Sequence, residues 1–279
     1  MLSSVLIAVG VILMLVAGGM WGWAQWQYHQ VTANNEKLAT YATVSDDPAA
    51  PEGPQVDWAG LKAVNDDVVG WVQVPGTNIN FPVYQGDTNE TYLRRAATGE
   101  YSVGGQVFMD YENARPGMVD RQTLIYGHHL GNGEMFTQVD DMASQETFDS
   151  VSTVWYATET QTYELEPLFF YKTPATNGDA RRMTFASDDD FHAYLGNLLS
   201  QATTKSSKAD EAVGRVSRIL TLATCDYDNP FGHGNGRGLL VCALKSEVDP
   251  SSATTAPAAT ATTKETDGQE GSAQQTTAA

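Results

Sequence analysis

The first Asp, Glu, Lys or Arg of the chain is Glu36, and the run LSSVLIAVGVILMLVAGGMWGW at residues 2–23 is almost wholly apolar. At about 1.5 Å per residue, a helix of this length crosses the hydrocarbon core of a bilayer. Trp21, Trp23, Trp26 and Tyr28 lie at its far end, where amphipathic rings favour the membrane interface. The chain is therefore predicted to begin with one transmembrane anchor, residues 1–31.

A cleaved signal peptide is the alternative interpretation of this segment. No basic residue precedes the apolar run and no small-x-small cleavage site follows it, so the pattern favours an uncleaved anchor. Because no Lys or Arg precedes the helix, the positive-inside bias does not orient it. If the amino terminus stays inside, everything after the helix lies outside the cytoplasm.

Two polar segments flank the part of the chain that can fold. Residues 32–55 are rich in Ala, Thr, Asp and Pro and end in PAAPEGP, which is typical of a spacer. Beyond Glu247 the chain lacks the apolar residues that a core needs, which predicts a disordered polar tail at residues 248–279. One globular domain is expected over residues 56–247, a size that suits a single core.

The charge balance bears on the kind of partner. The formal net charge is -18, with only 16 Lys and Arg residues in 279. A phosphate backbone is bound by clustered Lys and Arg, so this composition argues against a nucleic-acid partner.

Short β-rich runs bounded by Gly, Pro or Asn dominate the central segment. Eight strands are predicted, at residues 68–74, 79–84, 106–109, 123–126, 152–157, 162–172, 215–224 and 238–245. Their spacing indicates a closed or nearly closed barrel, so the predicted fold is mainly β, an eight-stranded β-barrel. Apolar residues at helical spacing predict helical insertions at residues 56–65, 135–148 and 189–200.

Only two cysteines occur, Cys225 and Cys242, which excludes a disulfide-rich scaffold and most cysteine-based zinc sites. Cys242 lies in the apolar run LLVCAL, where a free cysteine behaves as a small buried hydrophobe. Cys225 follows an apolar run but precedes the turn-forming residues DYDNP. These surroundings favour an accessible Cys225 and a buried Cys242 over a disulfide between them.

Two further residues are predicted to lie near Cys225. His128 also follows a predicted strand, and two strand ends on one rim of a barrel can bring a thiol and an imidazole together. An imidazolium beside a thiol favours the nucleophilic thiolate. Arg237 opens the next strand, which returns beside Cys225 if the two strands pair antiparallel. Its guanidinium offers five donors in a fixed fork and can stabilise an oxyanion.

Each of these residues alone is ambiguous. Tandem histidines such as His128 and His129 are commonly surface loop residues, and a lone cysteine is commonly part of a core. An arginine at a strand start is commonly a solvated edge charge. The position of each residue therefore does not by itself establish a catalytic triad.

Several motifs together resemble the sortase family. TLATC at residues 221–225 matches its nucleophile signature TLxTC, Arg237 opens the following strand, and LIYGH at residues 124–128 resembles its histidine strand end. The resemblance extends to NDDVVGWVQV at 65–74, NFPVY at 80–84, GQVFMD at 105–110 and GEMF at 133–136. These segments resemble class B sortases and cover most of the predicted domain. The helix predicted at 189–200, just before the nucleophile strand, also looks like the extra helix of that class.

The resemblance implies a membrane-tethered, extracytoplasmic cysteine transpeptidase with a sortase-type barrel. Cys225 would attack a bond in the carboxy-terminal sorting signal of a surface protein or pilin, and His128 would transfer the proton. Arg237 would clamp the oxyanion or substrate, and Thr224 would contact the substrate near the acyl oxygen. An amine of a cell-wall precursor or of a pilin lysine would resolve the thioacyl-enzyme. The resemblance implies neither a cofactor nor a catalytic metal, and His129 would support the loop.

Three alternatives remain open from the residues. A cysteine peptidase would use the same triad and pass the acyl group to water. A metal-binding surface protein could hold a cation between His128, His129 and His233 with Asp226 or Asp228, although no HExxH-type ligand spacing is present. A tethered adhesin or scaffold would carry an inert Cys225.

Overall fold

The structure is a computed structural model that describes residues 2–43, 53–226 and 235–250. Its helices are α1 Leu2–Ala39, α2 Trp58–Val64, α3 Thr137–Asp140, α4 Gln145–Ser150, α5 Asp188–Leu199, α6 Ala209–Ala212 and α7 Lys245–Val248. Its strands are β1 Ala42–Thr43, β2 Gln55–Val56, β3 Val68–Gln73, β4 Asn80–Tyr84, β5 Val107–Met109, β6 Gln122–Tyr126, β7 Val154–Ala157, β8 Thr162–Pro174, β9 Ala202–Lys205, β10 Ile219–Asp226 and β11 Gly236–Leu244.

Eight of the strands close into a barrel. The large sheet has the order β11-β10-β6-β5-β4-β3-β7-β8-β9, and β11 also pairs with β8. This last pairing closes a ring of eight strands, and β9 pairs with β8 outside the ring. The predicted eight-stranded barrel is confirmed, and each predicted strand corresponds to one barrel strand. The short strand β9 was not predicted, since ATTK carries no apolar alternation.

Hydrophobic clusters bury both faces of the barrel wall. Successive side chains of a strand point to opposite faces, so alternate residues of β10 enter different cores. Leu220 and Leu222 pack in the barrel interior. Ile219 and Ala223 pack outside it in a cluster that includes the buried face of α5, such as Phe191. The wall strands are therefore buried on both faces, which explains their nearly continuous apolar runs.

The start of β10, the strand that contains Cys225, differs from the prediction. The strand predicted from residue 215 begins at Ile219, after α6 and a turn. Arg215 lies outside the strand because its guanidinium donates hydrogen bonds to the carbonyl oxygens of Glu247 at 2.8 Å and Val248 at 2.6 Å. At its other end the strand is longer than predicted and contains Cys225, which pairs with β11.

One predicted helix is shorter than expected, one is divided, and one is shifted by a single residue. The helix expected at 56–65 begins at Trp58, because Asp57 caps it by accepting a 2.9 Å hydrogen bond from the Gly60 N–H. The helix expected at 135–148 is divided into α3, a 3₁₀ turn at Asp141–Ala143 and α4. The helix expected at 189–200 is α5, which Ser187 caps through a 3.2 Å hydrogen bond from the Asp190 N–H.

Helix α1 is longer than a membrane crossing requires. It is the one helix in the described part of the chain that is long and apolar enough to span a bilayer. Its 38 residues extend about 57 Å, nearly twice the hydrocarbon thickness. The structure therefore differs from the predicted spacer in its first eight residues, 32–39, which are helical. The remaining domain boundaries stay predictions, and residues 44–52 and 251–279 lie outside the described residues.

The second half of α1 packs on the barrel. Val31 and Leu38 are buried against it, and Thr32 Oγ1 and Asn35 Nδ2 donate hydrogen bonds to Glu134 at 3.1 and 3.2 Å. Glu134 belongs to the loop that follows His128. These contacts supply the apolar and polar partners that hold residues 31–38 in the helix, and a spacer would lack them.

The packing of the barrel interior predicts that alanine substitutions of two valines, Val83 and Val119, destabilise the protein to different extents. Val83 is 0% exposed in the interior core, whereas Val119 is 56% exposed. Val83→Ala should cost about 2 kcal/mol of unfolding free energy, because it removes buried methyl groups and leaves a cavity. Val119→Ala should cost about 0.5 kcal/mol or less. Thermal unfolding of the full chain in detergent checks this, and equal losses for both variants would contradict the assigned core.

Candidate active site

The ends of three neighbouring strands carry the predicted triad. β10 and β11 pair antiparallel, and Cys225 lies directly opposite Arg237 in their register. Opposite residues of an antiparallel pair project to the same face with Cβ atoms about 5 Å apart. The predicted antiparallel return of Arg237 beside Cys225 is thus the arrangement observed, although both residues lie inside their strands.

His128 reaches the same row through a parallel pairing. β6 pairs parallel with β10, and Tyr126 is the register partner of Ala223. The Gly127 N–H continues the ladder by donating to the Ala223 carbonyl oxygen at 3.1 Å. His128 and Cys225 each lie two residues beyond the Tyr126–Ala223 pair, so the two residues are level on adjacent chain segments. Cys225 therefore lies in the middle of the row, between His128 and Arg237.

One cavity of about 300 Å³ opens over this row. Its walls include His128, Cys225 and Arg237. Apolar side chains form much of the rest of the lining: Leu93, Phe108, Leu124, Ala180 and Leu239. An apolar cavity with a few convergent polar groups is the usual form of a ligand site.

The surroundings of His128 favour the neutral form of its imidazole. Its Nε2 lies 2.6 Å from the Leu93 carbonyl oxygen. A carbonyl oxygen only accepts, so Nε2 carries a proton and Nδ1 is the basic nitrogen of the neutral ring. Burial lowers the pKa of His128, and the charges of Arg94 and Arg237 lower it further, while the Leu93 hydrogen bond opposes the shift. A neutral imidazole can accept a proton from a thiol.

A buried acidic network supports the far wall of the cavity. Asp110 is fully buried and accepts hydrogen bonds from Arg181 Nε at 2.8 Å, from Tyr126 Oη at 2.7 Å and from Asn89 Nδ2 at 3.0 Å. Burial would raise the pKa of Asp110, but the hydrogen bonds from Arg181, Tyr126 and the Glu112 backbone lower it overall. Burial and the nearby Asp110 raise the pKa of Tyr126. Asp110 therefore stays ionised and fixes Arg181 and Tyr126 at the cavity.

No member of this network was predicted as a site residue from the sequence. Asp110 ends the quoted motif GQVFMD, and Arg181 lies in a 3₁₀ turn at Gly178–Arg181 with no motif of its own. The acidic residue directly after a buried strand was an available signal for Asp110. Arg181 could not be found from the sequence, because 71 positions separate it from the carboxylate that it binds.

Thr224 and His129 lie next to the row but face differently. Thr224 borders the cavity and is buried, and its Oγ1 has no hydrogen-bond partner within the described ranges. Because strand side chains alternate, the Thr224 hydroxyl projects to the face opposite the Cys225 thiol. His129 Nδ1 lies 3.1 Å from the Cys225 carbonyl oxygen. The loop-supporting role of His129 stays a prediction, and this hydrogen bond connects the His129 side chain to the backbone of Cys225.

The two cysteines are free and differ in surroundings, as predicted. Cys225 is partly exposed, whereas Cys242 is fully buried in the barrel interior, and burial raises the pKa of its thiol. Among the residues that the structure describes, no group of three His, Cys, Asp or Glu side chains could hold a metal ion. His233 and Asp228 of the metal-site alternative lie outside the described residues.

Comparisons with known proteins place these features in a family. The family model of the sortase domain matches residues 72–245. The chain is 32% identical to sortase B of Staphylococcus aureus over 166 residues, which are 60% of this chain and 66% of that relative. It is 30% identical to sortase B of Listeria monocytogenes over 174 residues, which are 62% of this chain and 69% of that relative. The matches therefore span about two thirds of these relatives.

Solved structures are also similar to this chain. Sortase B of Clostridium perfringens matches with a TM-score of 0.59 and 31% identity, covering 66% of this chain and 97% of that one. A Staphylococcus aureus sortase B–substrate complex matches with a TM-score of 0.64 and 26% identity, covering 78% and 98%. A sortase B complexed with triglycine matches with a TM-score of 0.59 and 28% identity, covering 67% and 84%.

The charge of Arg94 predicts a shift in the titration of His128. Arg94→Met removes a positive neighbour, so the imidazolium becomes less unfavourable and the pKa of His128 should rise. Histidine-selective NMR titration of the full chain in detergent measures this pKa. Arg94→Lys, which keeps the charge, and Arg95→Met, at the adjacent position, should leave it close to the wild-type value. An unchanged or lower pKa in Arg94→Met would contradict the electrostatic assignment.

Proposed function

Because the chain belongs to the sortase family and resembles its class B members, we propose that it is a cysteine transpeptidase acting on exported proteins. It cleaves a carboxy-terminal sorting signal through a thioester on Cys225 and transfers the acyl group to an amine. The observation that carries this proposal is the row of His128, Cys225 and Arg237 along one cavity, on three adjacent chain segments.

Acylation uses all three members of the row. The neutral imidazole of His128 takes the thiol proton, and the Cys225 sulfur attacks the carbonyl carbon of the scissile amide. The carbonyl oxygen becomes an oxyanion beside the Arg237 guanidinium, whose fixed charge stabilises it more than the neutral carbonyl. The carbon–nitrogen bond then breaks, His128 gives its proton to the leaving amine, and a thioester remains on Cys225.

In transfer to the acceptor, the amine is the nucleophile and Cys225 is the leaving group. An incoming neutral amine attacks the thioester carbonyl carbon, and His128 takes the proton that the amine loses. The carbon–sulfur bond breaks, and the Cys225 thiolate leaves and recovers the proton from His128. The lowered pKa of His128 supports this second step, because a largely neutral imidazole is ready to act as a base.

The nature of the two substrates is inferred from the relatives. One similar structure is a sortase B–substrate complex and another holds triglycine. An exported protein with a sorting signal and a glycine-like or lysine amine, from a cell-wall precursor or a pilin, are therefore the proposed donor and acceptor. The apolar cavity suits an extended peptide whose side chains leave water, and Arg181 and Asn89 supply polar contacts at its wall.

The membrane is the proposed location. Helix α1 would cross it once, with the Trp residues at 21, 23 and 26 at the outer interface. The barrel would then lie outside the cytoplasm, where exported donors emerge. The packed second half of α1 supports this arrangement, because it joins the apolar segment to the barrel without a flexible link.

The proposed mechanism predicts that substitutions of Cys225 and Arg237 lower peptide cleavage to different extents. The full chain in detergent is incubated with LPxTG-like and NPxTx-like peptides and excess triglycine, and products are identified by mass spectrometry. Cys225→Ala should abolish cleavage, and Arg237→Ala should lower kcat about 100-fold or more through loss of the oxyanion donor. Arg237→Lys should recover only part of this loss, because an ammonium lacks the planar fork.

Cys242→Ala is the matched control, because this second cysteine is buried away from the cavity. It should retain cleavage and transfer. Cleavage that survives in Cys225→Ala would overturn the nucleophile. Cleavage with hydrolysis but no triglycine product would favour the peptidase alternative.

The proposed membrane orientation predicts that an impermeant reagent labels Cys225 but not Cys242. An impermeant maleimide added to intact cells that express the chain should modify Cys225, which is partly exposed, but not the buried Cys242. Labelling should disappear in Cys225→Ala. Labelling only after the membrane is permeabilised would place the barrel on the cytoplasmic side and contradict the proposed orientation.

A further inference from the structure

A buried charged cluster lies directly behind the row of strand ends. Asp140 ends α3 and is 5% exposed. Lys172 Nζ lies 3.3 Å from its Oδ1, and His129 Nδ1 lies 3.6 Å from its Oδ2. Asp140, Lys172 and His129 form the Asp140 cluster.

The barrel wall is shaped to admit this carboxylate. Gly238 is the register partner of Thr224 in β11 and adjoins Arg237. A Cβ atom at residue 238 would lie 3.0 Å from Asp140 Oδ1 and 2.8 Å from the Phe170 ring. The missing side chain at Gly238 therefore leaves the space that Asp140 occupies. A buried carboxylate is costly unless a cation or donor lies beside it, and the Lys172 ammonium lies at ion-pair distance from Asp140.

His129 connects the cluster to the nucleophile residue. A carbonyl oxygen only accepts hydrogen bonds, so His129 Nδ1 is protonated. Its N–H donates a hydrogen bond to the Cys225 carbonyl oxygen at 3.1 Å. The Ala223 carbonyl, two residues earlier, accepts from the Gly127 backbone N–H at 3.1 Å. In a regular parallel ladder the next donor to β10 would be the backbone N–H of residue 129. The imidazole of His129 takes that place and extends the ladder by one bond.

The hydrogen bond from His129 affects the position of the Cys225 thiol. Cys225 is the penultimate residue of β10, so its backbone is the last part of the strand that carries active-site chemistry. The bond from His129 holds the β6 side of Cys225, and the pairing with Arg237 holds the β11 side. The position of the thiol between His128 and Arg237 therefore depends on both.

We propose that His129 is a positioning residue for Cys225 and that Asp140 orients its imidazole, with Lys172 balancing the buried charge. The proposal rests on the proposed function, since it treats Cys225 as the nucleophile. His129 acts through Cys225 and does not itself exchange a proton with the substrate. Removing the Nδ1 donor would loosen the end of β10 and misalign the thiol without unfolding the barrel.

The test compares two substitutions at residue 129. His129→Leu has similar bulk but no donor, and His129→Asn places an amide N–H near the former Nδ1. His129→Leu should lower kcat for peptide cleavage about tenfold, the effect of one lost hydrogen bond, with KM little changed. His129→Asn should recover most of that loss. Hydrogen exchange of the 219–226 segment should accelerate in His129→Leu and return toward wild type in His129→Asn.

A matched control removes the same kind of bond elsewhere. His192 in α5 also places a ring nitrogen 3.1 Å from a backbone carbonyl oxygen, that of Val216, outside the cavity. His192→Leu should leave kcat and the exchange of the 219–226 segment unchanged. Asp140→Asn should lower kcat in the wild-type background but add little to His129→Leu, because Asp140 acts through His129.

The outcomes separate this proposal from the proposed function. Activity that is equal in wild type and Cys225→Ala would defeat the proposed function, and the positioning role would fall with it. An inactive Cys225→Ala with unchanged kcat or unchanged exchange in His129→Leu would overturn only the positioning role. Failure of His129→Asn to recover the loss, or full additivity of the Asp140 and His129 variants, would also overturn it.

Discussion

The candidate site depends on the ladder that joins β6, β10 and β11. β10 is the middle strand, paired parallel on one side and antiparallel on the other. A parallel neighbour places its carboxyl end beside the end of β10, and an antiparallel neighbour returns its amino end there. Three chain segments far apart in sequence thus meet at one rim. A register slip of one residue would turn Cys225 away from the cavity, because side chains alternate between faces.

Barrel closure makes this register hard to change. The pairing of β11 with β8 leaves the wall strands without a free edge on which they could slide. The interior and outer cores also bury alternate residues of the same strands, so a slip would exchange the two sets. Both effects hold the rim to a single geometry, which suits a site whose reacting groups must be aligned closely.

Buried charge surrounds the rim on two sides. Asp110, fixed by Arg181 and Tyr126, supports the cavity wall, and Asp140 lies behind the strand ends with Lys172. Each carboxylate is stabilised by a cation, because neither could stay ionised alone in a buried position. Helix α1 adds a third contact through Glu134 in the loop after His128. Helix α1, the loop after His128 and the barrel are therefore mechanically joined.

The sequence by itself determined the local features of this protein. Apolar runs and turn residues identified all eight barrel strands, and the uncharged first segment identified α1. The contrast between the neighbours of Cys225 and those of Cys242 distinguished an accessible thiol from a buried one. Motifs with fixed spacing pointed to His128, Cys225 and Arg237. These features depend on residues close together in the chain, so a sequence pattern can carry them.

Only the tertiary structure decided what depends on contacts between distant segments. The polar composition of residues 32–39 predicts a spacer, but these residues form a helix that packs against the barrel and donates hydrogen bonds to Glu134. Arg181 and Asp110 are 71 positions apart, and His129 reaches the Cys225 carbonyl across 96. The local amino-acid composition does not predict such contacts. They exist because barrel closure sets the register, and that register brings their atoms within hydrogen-bonding distance.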